Sequence, residues 1–115
     1  MRKPLVFEEF GLPRDGFVFT TDSPVTLRDQ YYEFSFGRVL ESVTQKGMMA
    51  GVNFWAFSGT GKPNPAREKN MWQAGDDYLG DPPQEAQGLN SVFGSDPTMQ
   101  IVKKYNLQIV KASKK

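Results

Sequence analysis

The 115-residue sequence contains no cysteine and no histidine. Without cysteine there is no disulfide, no thiolate metal site and no thiol nucleophile. Without histidine the commonest general base and the commonest metal ligand are missing, so any acid–base chemistry has to rest on carboxylates, tyrosine or lysine. A charge excess is lacking too: 14 Lys and Arg against 13 Asp and Glu leave a net charge of +1, which gives no whole-chain field directed at nucleic acid or an acidic partner. Acidic residues run out after Asp96, while Lys103, Lys104, Lys111, Lys114 and Lys115 follow. A solvated helix face and a frayed basic tail account for that run better than a binding patch. No apolar stretch approaches the roughly 20 residues of a membrane span. Nor do the first residues read as a signal peptide, because Glu8 and Glu9 follow a very short apolar run. A strand that begins at residue 4 has almost no lead-in, which hints at missing sequence upstream.

What is present is globular in character, with 38% hydrophobic and 23% charged residues. That is enough for one modest domain with a single core. The organising stretch is Lys3-Pro4-Leu5-Val6-Phe7-Glu8-Glu9-Phe10-Gly11. Its apolar run reads as a buried strand of a parallel sheet, closed by two carboxylates. Strand side chains alternate faces, so one of the two shares the inward face with Leu5 and Phe7, and alternation selects Glu9. Glu8 is then expected to face a helix layer. A carboxylate at the C-terminal end of a parallel barrel strand stands where such barrels carry catalytic groups, although a solvated strand-end glutamate has the same pattern.

A Pro/Gly loop with a brief apolar patch, Phe17 to Phe19, leads to a helix from Leu27 to about Lys46. Ser23-Pro24 offers an N-cap with proline at the first position, and Thr26 with Asp29 offers a capping box instead. Tyr32, Phe36, Val39, Leu40 and Val43 form one apolar stripe, broadened by Tyr31 and Phe34. Gly37 inside the helix implies close packing, and Lys46-Gly47 supplies a C-terminal stop with glycine at C′. Met48 to Phe57 is a second near-continuously apolar strand, expected to be covered on both faces, with Gly51, Asn53 and Trp55 on one of them. Strand, helix and strand form a βαβ unit. The long segment from Ser58 to Asn90 has no sustained period and reads as a functional loop. Asp76, Asp77 and Asp81 lack calcium-loop spacing, so turn and capping duties are expected of them. Ser95-Asp96-Pro97 starts a last helix with Met99, Val102 and Tyr105 or Asn106 inward, and Leu107 to Val110 continues as strand or helix.

The order strand, loop, helix, strand, long aromatic loop, helix resembles the closing quarter of a (β/α)₈ barrel. Within that class the residues resemble glycoside hydrolase family 5, and within it the endo-β-1,4-mannanases. Lys3 to Gly11 is similar to the seventh barrel strand, Ser23-Pro24 through Tyr32 to the start of the seventh helix, and Gly51 to Phe57 to the eighth strand. Trp72, Gly75 to Glu85 and Gln87 to Phe93 resemble the segment that follows.

The resemblance implies an α/β fold, with residues 1–115 as a partial catalytic barrel domain lacking its N-terminal strands. It implies retaining endo-hydrolysis of β-1,4-mannosidic bonds in mannans, galactomannans and glucomannans. Glu9 is then the nucleophile and Trp55 the aromatic platform under the sugar, with Trp72 in a further subsite or in loop packing. No cofactor or metal is implied; the partners are a β-mannan polysaccharide and a complementing N-terminal barrel fragment, with no nucleic acid or membrane. The family's acid/base glutamate follows an asparagine on the fourth strand, and no such Asn-Glu pair occurs here. Retaining hydrolysis takes both carboxylates, so the chain alone is expected to be inactive. Its strands are expected to have unpaired edges. Secretion or a periplasmic location is implied for the parent enzyme. A related family 5 glycosidase such as a cellulase, or a noncatalytic carbohydrate-binding fragment, is the alternative.

Overall fold

In the computed structural model, which describes residues 3–114, the first strand β1 (Leu5–Phe10) leads through a 3-10 turn to helix α1 (Thr26–Thr44). Strand β2 (Met49–Phe54) then lies parallel to β1. The helix between parallel neighbours makes this the expected βαβ unit. Strands β3 (Phe57–Gly59) and β4 (Val92–Phe93) form a second short parallel pair, and helix α2 (Thr98–Ser113) closes the chain. Leu107 to Val110 therefore continue the helix. Lys103, Lys104 and Lys111 lie on α2, while Lys115 lies outside the described residues. No described helix is long and apolar enough to cross a membrane.

The core lies where α1 packs on the sheet and on α2. Phe10, Tyr32, Phe36 and Val92 form its buried centre, with Val52, Phe54, Met99, Val102 and Tyr105 packed against it. Phe10 sits edge-on to Tyr31 and tilted against Tyr32, with ring centroids 5.6 and 5.1 Å apart. Such pairs add to simple area burial. Gly37 is the close approach of α1 to α2: a Cβ there would meet the Tyr105 hydroxyl at 3.6 Å. The same hydroxyl donates to Glu33, and Lys104 bonds that carboxylate at 2.8 Å. Those two donors hold the Glu33 carboxyl below its ordinary range.

The face assignment of β1 is reversed. Phe7 stacks on Phe10 at 4.8 Å with rings 5° from parallel, so Phe7 belongs to the helix side. Val6 and Glu8 take the opposite face with Gly51 and Asn53: Val6 lies 3.7 Å from a Cβ built on Gly51, and Asn53 Nδ2 donates to Glu8 Oε1 at 3.2 Å. An apolar run without alternation carries no phase, and composition alone could not assign it. The opposite face is also uncovered by described residues, with Val6 49% exposed. β1 and β2 make a sheet of only 2 strands, each with a free outer edge among the described residues.

Both helix ends differ from the local motifs. Neither Ser23 nor Thr26 caps α1. Asp15 reaches across from the preceding turn, and its carboxylate accepts the N–H groups of Thr26 at 2.9 Å and Leu27 at 3.1 Å. Those bonds, Leu27's first, hold the Asp15 carboxyl below its usual range. Asp29 instead accepts from Thr98 at the start of α2. At the C-terminus the left-handed residue is Lys46, at φ 54°, not Gly47. A side chain in that region costs about 1 kcal/mol. Lys46→Gly is therefore expected to stabilise the chain by about that amount. A urea midpoint at or below that of the parent would contradict it.

Candidate active site

Strands β1 and β2 end together. Glu8 pairs with Asn53 and Phe10 with Phe54, which leaves Glu9 as the extra residue between two ladder positions. This is a β-bulge, the device that re-aims a side chain at the end of a strand. Glu9 has φ 54°, a left-handed backbone that a non-glycine residue adopts at a cost of about 1–3 kcal/mol and that clusters at functional sites. Its side chain is exposed. Simple alternation thus selected Glu9 from a wrong phase, and the bulge, not the pleat, sets it apart from its neighbours.

Trp55 follows directly on β2. Its N–H donates to the Phe10 carbonyl at 2.8 Å, so the tryptophan is tied to the residue after Glu9. Gly11 fits beneath it because a Cβ at that position would run into the Trp55 carbonyl oxygen. The indole residue is 37% exposed. Beyond it, Ala56 N–H donates to Asn90 O at 3.1 Å and Val92 N–H to Ala56 O at 2.8 Å. The far end of the long loop is thereby fastened beside Trp55.

The aspartates of that loop each serve as local clamps. Asp81, fully buried, accepts Gly88 N–H at 3.0 Å and both the backbone and amide nitrogens of Asn90 at 3.3 and 3.2 Å. Asp77 accepts Lys62 N–H at 2.9 Å. Asp76 takes Arg67 Nε at 2.7 Å, Asn64 at 2.6 Å and Gln73 N–H at 3.0 Å. The Arg67 bond, then Asn64, drives the Asp76 carboxyl far below its ordinary range. No group of three or more potential metal ligands comes together among the described residues.

Trp72 belongs to this clamp. Its indole N–H donates to Asp76 O at 3.1 Å. With Arg67, Asp76, Leu79 and Gln87 it encloses about 10 Å³ of free space, no more than a water needs. Trp72, half-buried, thus packs within the loop that Asp76 clamps.

Sequence patterning missed the polar network behind the site. Arg14 and Arg28 are 1% and 0% exposed, and Asp96 is 4% exposed. Arg14 bonds both Asp96 oxygens, at 2.6 and 2.7 Å. Arg28 reaches Asp96 at 3.5 Å and also donates to Leu12 O at 2.7 Å and Ser91 O at 2.8 Å. Burial, then the neighbouring Arg14 charge, lowers the Arg28 pKa. The network joins the segment after Glu9, the segment beside Trp55 and both helices.

The sequence model of the glycoside hydrolase family 5 β-mannosidase-like group matches residues 1–114. The chain belongs to that family. Its fold agrees with the crystal structure of a family 5 mannosidase from Rhizomucor miehei, with a TM-score of 0.82 at 35% identity. The match covers 97% of this chain and 28% of that one. A glutamate-to-alanine variant of the fungal enzyme, solved with mannosyl-fructose, matches with the same TM-score of 0.82 and 35% identity. A second glutamate-to-alanine variant matches at 0.82 and 34%. Among curated proteins none matches. The family 5 chain described here thus spans 28% of the solved enzymes it resembles, and its mixed α/β structure is consistent with part of a TIM barrel.

Proposed function

We propose that these residues form the C-terminal part of a family 5 (β/α)₈ barrel that hydrolyses β-mannosidic bonds with retention. Glu9 is the nucleophile and Trp55 the platform beneath the sugar. The observation that carries this reading is the bulged, left-handed Glu9 at the strand end beside Trp55, in a chain matched by the family over residues 1–114. A Glu9 oxygen attacks the anomeric carbon as the bond to the leaving-group oxygen breaks, forming a glycosyl-enzyme. A second carboxyl protonates that leaving oxygen, then deprotonates the water that releases the sugar. Glu8 is not that group, because its carboxylate accepts from Asn53 on the wall of the strand pair. We assign the acid/base to a complementing barrel segment outside these 115 residues. Sugar C–H faces stack on indole without losing their hydroxyl contacts, which suits the exposed ring of Trp55.

For substrate, the segments resembling endo-mannanases favour internal cleavage of β-1,4-mannan, galactomannan or glucomannan. The mannosidase description of the family and of the R. miehei enzyme favours a second reading, removal of mannose from chain ends. The test is a hybrid barrel in which this chain replaces the matching segment of the R. miehei enzyme. Endo-cleavage yields mixed oligosaccharides and a fast fall in viscosity; chain-end cleavage yields mannose alone. A folded hybrid without activity on any β-mannoside would sink the proposal, as would reducing-sugar release from mannan by the isolated 115-residue chain.

A further inference from the structure

Asn90 has no role in the reading above, yet its side chain and its backbone are both tied at the rim of the site. Its amide nitrogen and its backbone N–H both donate to buried Asp81, and its carbonyl accepts from Ala56, the residue after Trp55. A carboxylate only accepts, so Asp81 settles which side of the amide is nitrogen. The oxygen, Oδ1, takes no hydrogen bond from any described residue. Asn90 is half-buried, and its Cβ lies 3.8 Å from a Cβ built on Gly11, the residue that seats Trp55 two positions after Glu9. A side chain oriented by one amide N–H on a buried carboxylate, with no hydrogen bond to its oxygen and next to the segment that carries Trp55, is preorganised to accept from a hydroxyl.

We propose that Asn90 is a sugar-binding residue, its Oδ1 accepting a hydrogen bond from one hydroxyl of the mannosyl unit stacked on Trp55. Asp81 is its positioning residue. The proposal rests on the reading of Trp55 as a platform but not on Glu9 as a nucleophile. The hydrogen bonds that fix Asn90 are all internal to this chain, so they can be tested on it.

The experiment is an NMR titration of the 115-residue chain with β-1,4-mannobiose and its monodeoxy analogues. Asn90→Ala is expected to weaken mannobiose binding about five- to tenfold, the loss of one hydrogen bond. One deoxy analogue should bind the parent chain about that much more weakly than mannobiose, and that difference should vanish in Asn90→Ala. A purely structural role would lower affinity for all analogues alike. Should Asn90→Ala fail to fold, Asn90→Lys, whose ammonium can donate to Asp81 but accepts nothing, carries the same comparison. Deoxy differences that persist unchanged in the variant overturn the proposal. So does a parent chain that shows no mannobiose binding, a result that leaves the role of Glu9 in the hybrid barrel standing.

Discussion

Glu9→Ala in the hybrid barrel is expected to lower the hydrolysis of β-mannosides by at least about a thousandfold, roughly 4 kcal/mol of transition-state stabilisation. The loss should fall on the step that forms the glycosyl-enzyme. Azide supplies the diagnostic arm. With an aryl β-mannoside, azide entering the space vacated by the carboxylate attacks the anomeric carbon from the opposite face to the leaving group. The C–N bond forms, the aryl oxygen departs, and the product is the α-mannosyl azide. Glu8→Ala should show no such rescue, since the Glu8 carboxylate is engaged by Asn53 on the strand wall. Activity of Glu9→Ala within tenfold of the parent hybrid would remove Glu9 from the mechanism.

The βαβ unit was legible because its signals are local and redundant. A long helix with Tyr32, Phe36 and Val39 on one stripe lies between two apolar runs, and all three are buried as the stripe requires. Gly37 was legible for the same reason, a helix glycine that only close packing explains. What escaped was set by geometry without periodicity. The phase of β1 depends on an extra residue at Glu9 and on a register shift between Leu5 and Val6, and an unbroken apolar run reveals neither. The short strands β3 and β4 span 3 and 2 residues, too few for any pattern. Asp15 caps α1 from 11 residues away, beyond the window in which capping motifs are sought. The chemistry at the strand end was the reverse case. The family resemblance proposed the carboxylate Glu9 and the indole Trp55, while the contacts around them, through Gly11, Ala56 and Asn90, became visible only in three dimensions.

Asp96→Ala is expected to destabilise the chain by about 3–5 kcal/mol, the cost of removing one partner from a buried charge cluster. Four hydrogen bonds go at once. The guanidinium of Arg14 loses both carboxylate bonds, Arg28 loses its 3.5 Å partner, and the buried Phe93 N–H loses the oxygen it meets at 2.9 Å. Two cations are then left inside, hydrogen-bonded among the described residues only to the Ser23, Leu12 and Ser91 carbonyls. Whole domains are stable by about 5–15 kcal/mol. With the parent at the lower end of that range, the variant keeps about 0–2 kcal/mol and should be partly unfolded in dilute buffer at 25 °C. Asp96→Asn, which keeps an acceptor but not the charge, should fall between. The exposed Arg38–Glu41 pair is the internal control, because breaking a surface pair costs at most about 1 kcal/mol. Urea denaturation of the variants with Asp96 and Glu41 changed would separate the two classes, and a loss below 1 kcal/mol for Asp96→Ala would refute the assignment. The consequence reaches the site as well. Arg28 holds Leu12, just after Glu9 and Gly11, and Ser91, next to Asn90; the strand end that carries the carboxylate and the loop that flanks the indole are placed by the same buried cation. In the hybrid barrel, where the surrounding strands supply the missing stability, Asp96→Asn should therefore fold yet turn over more slowly, because the two halves of the site lose their common anchor.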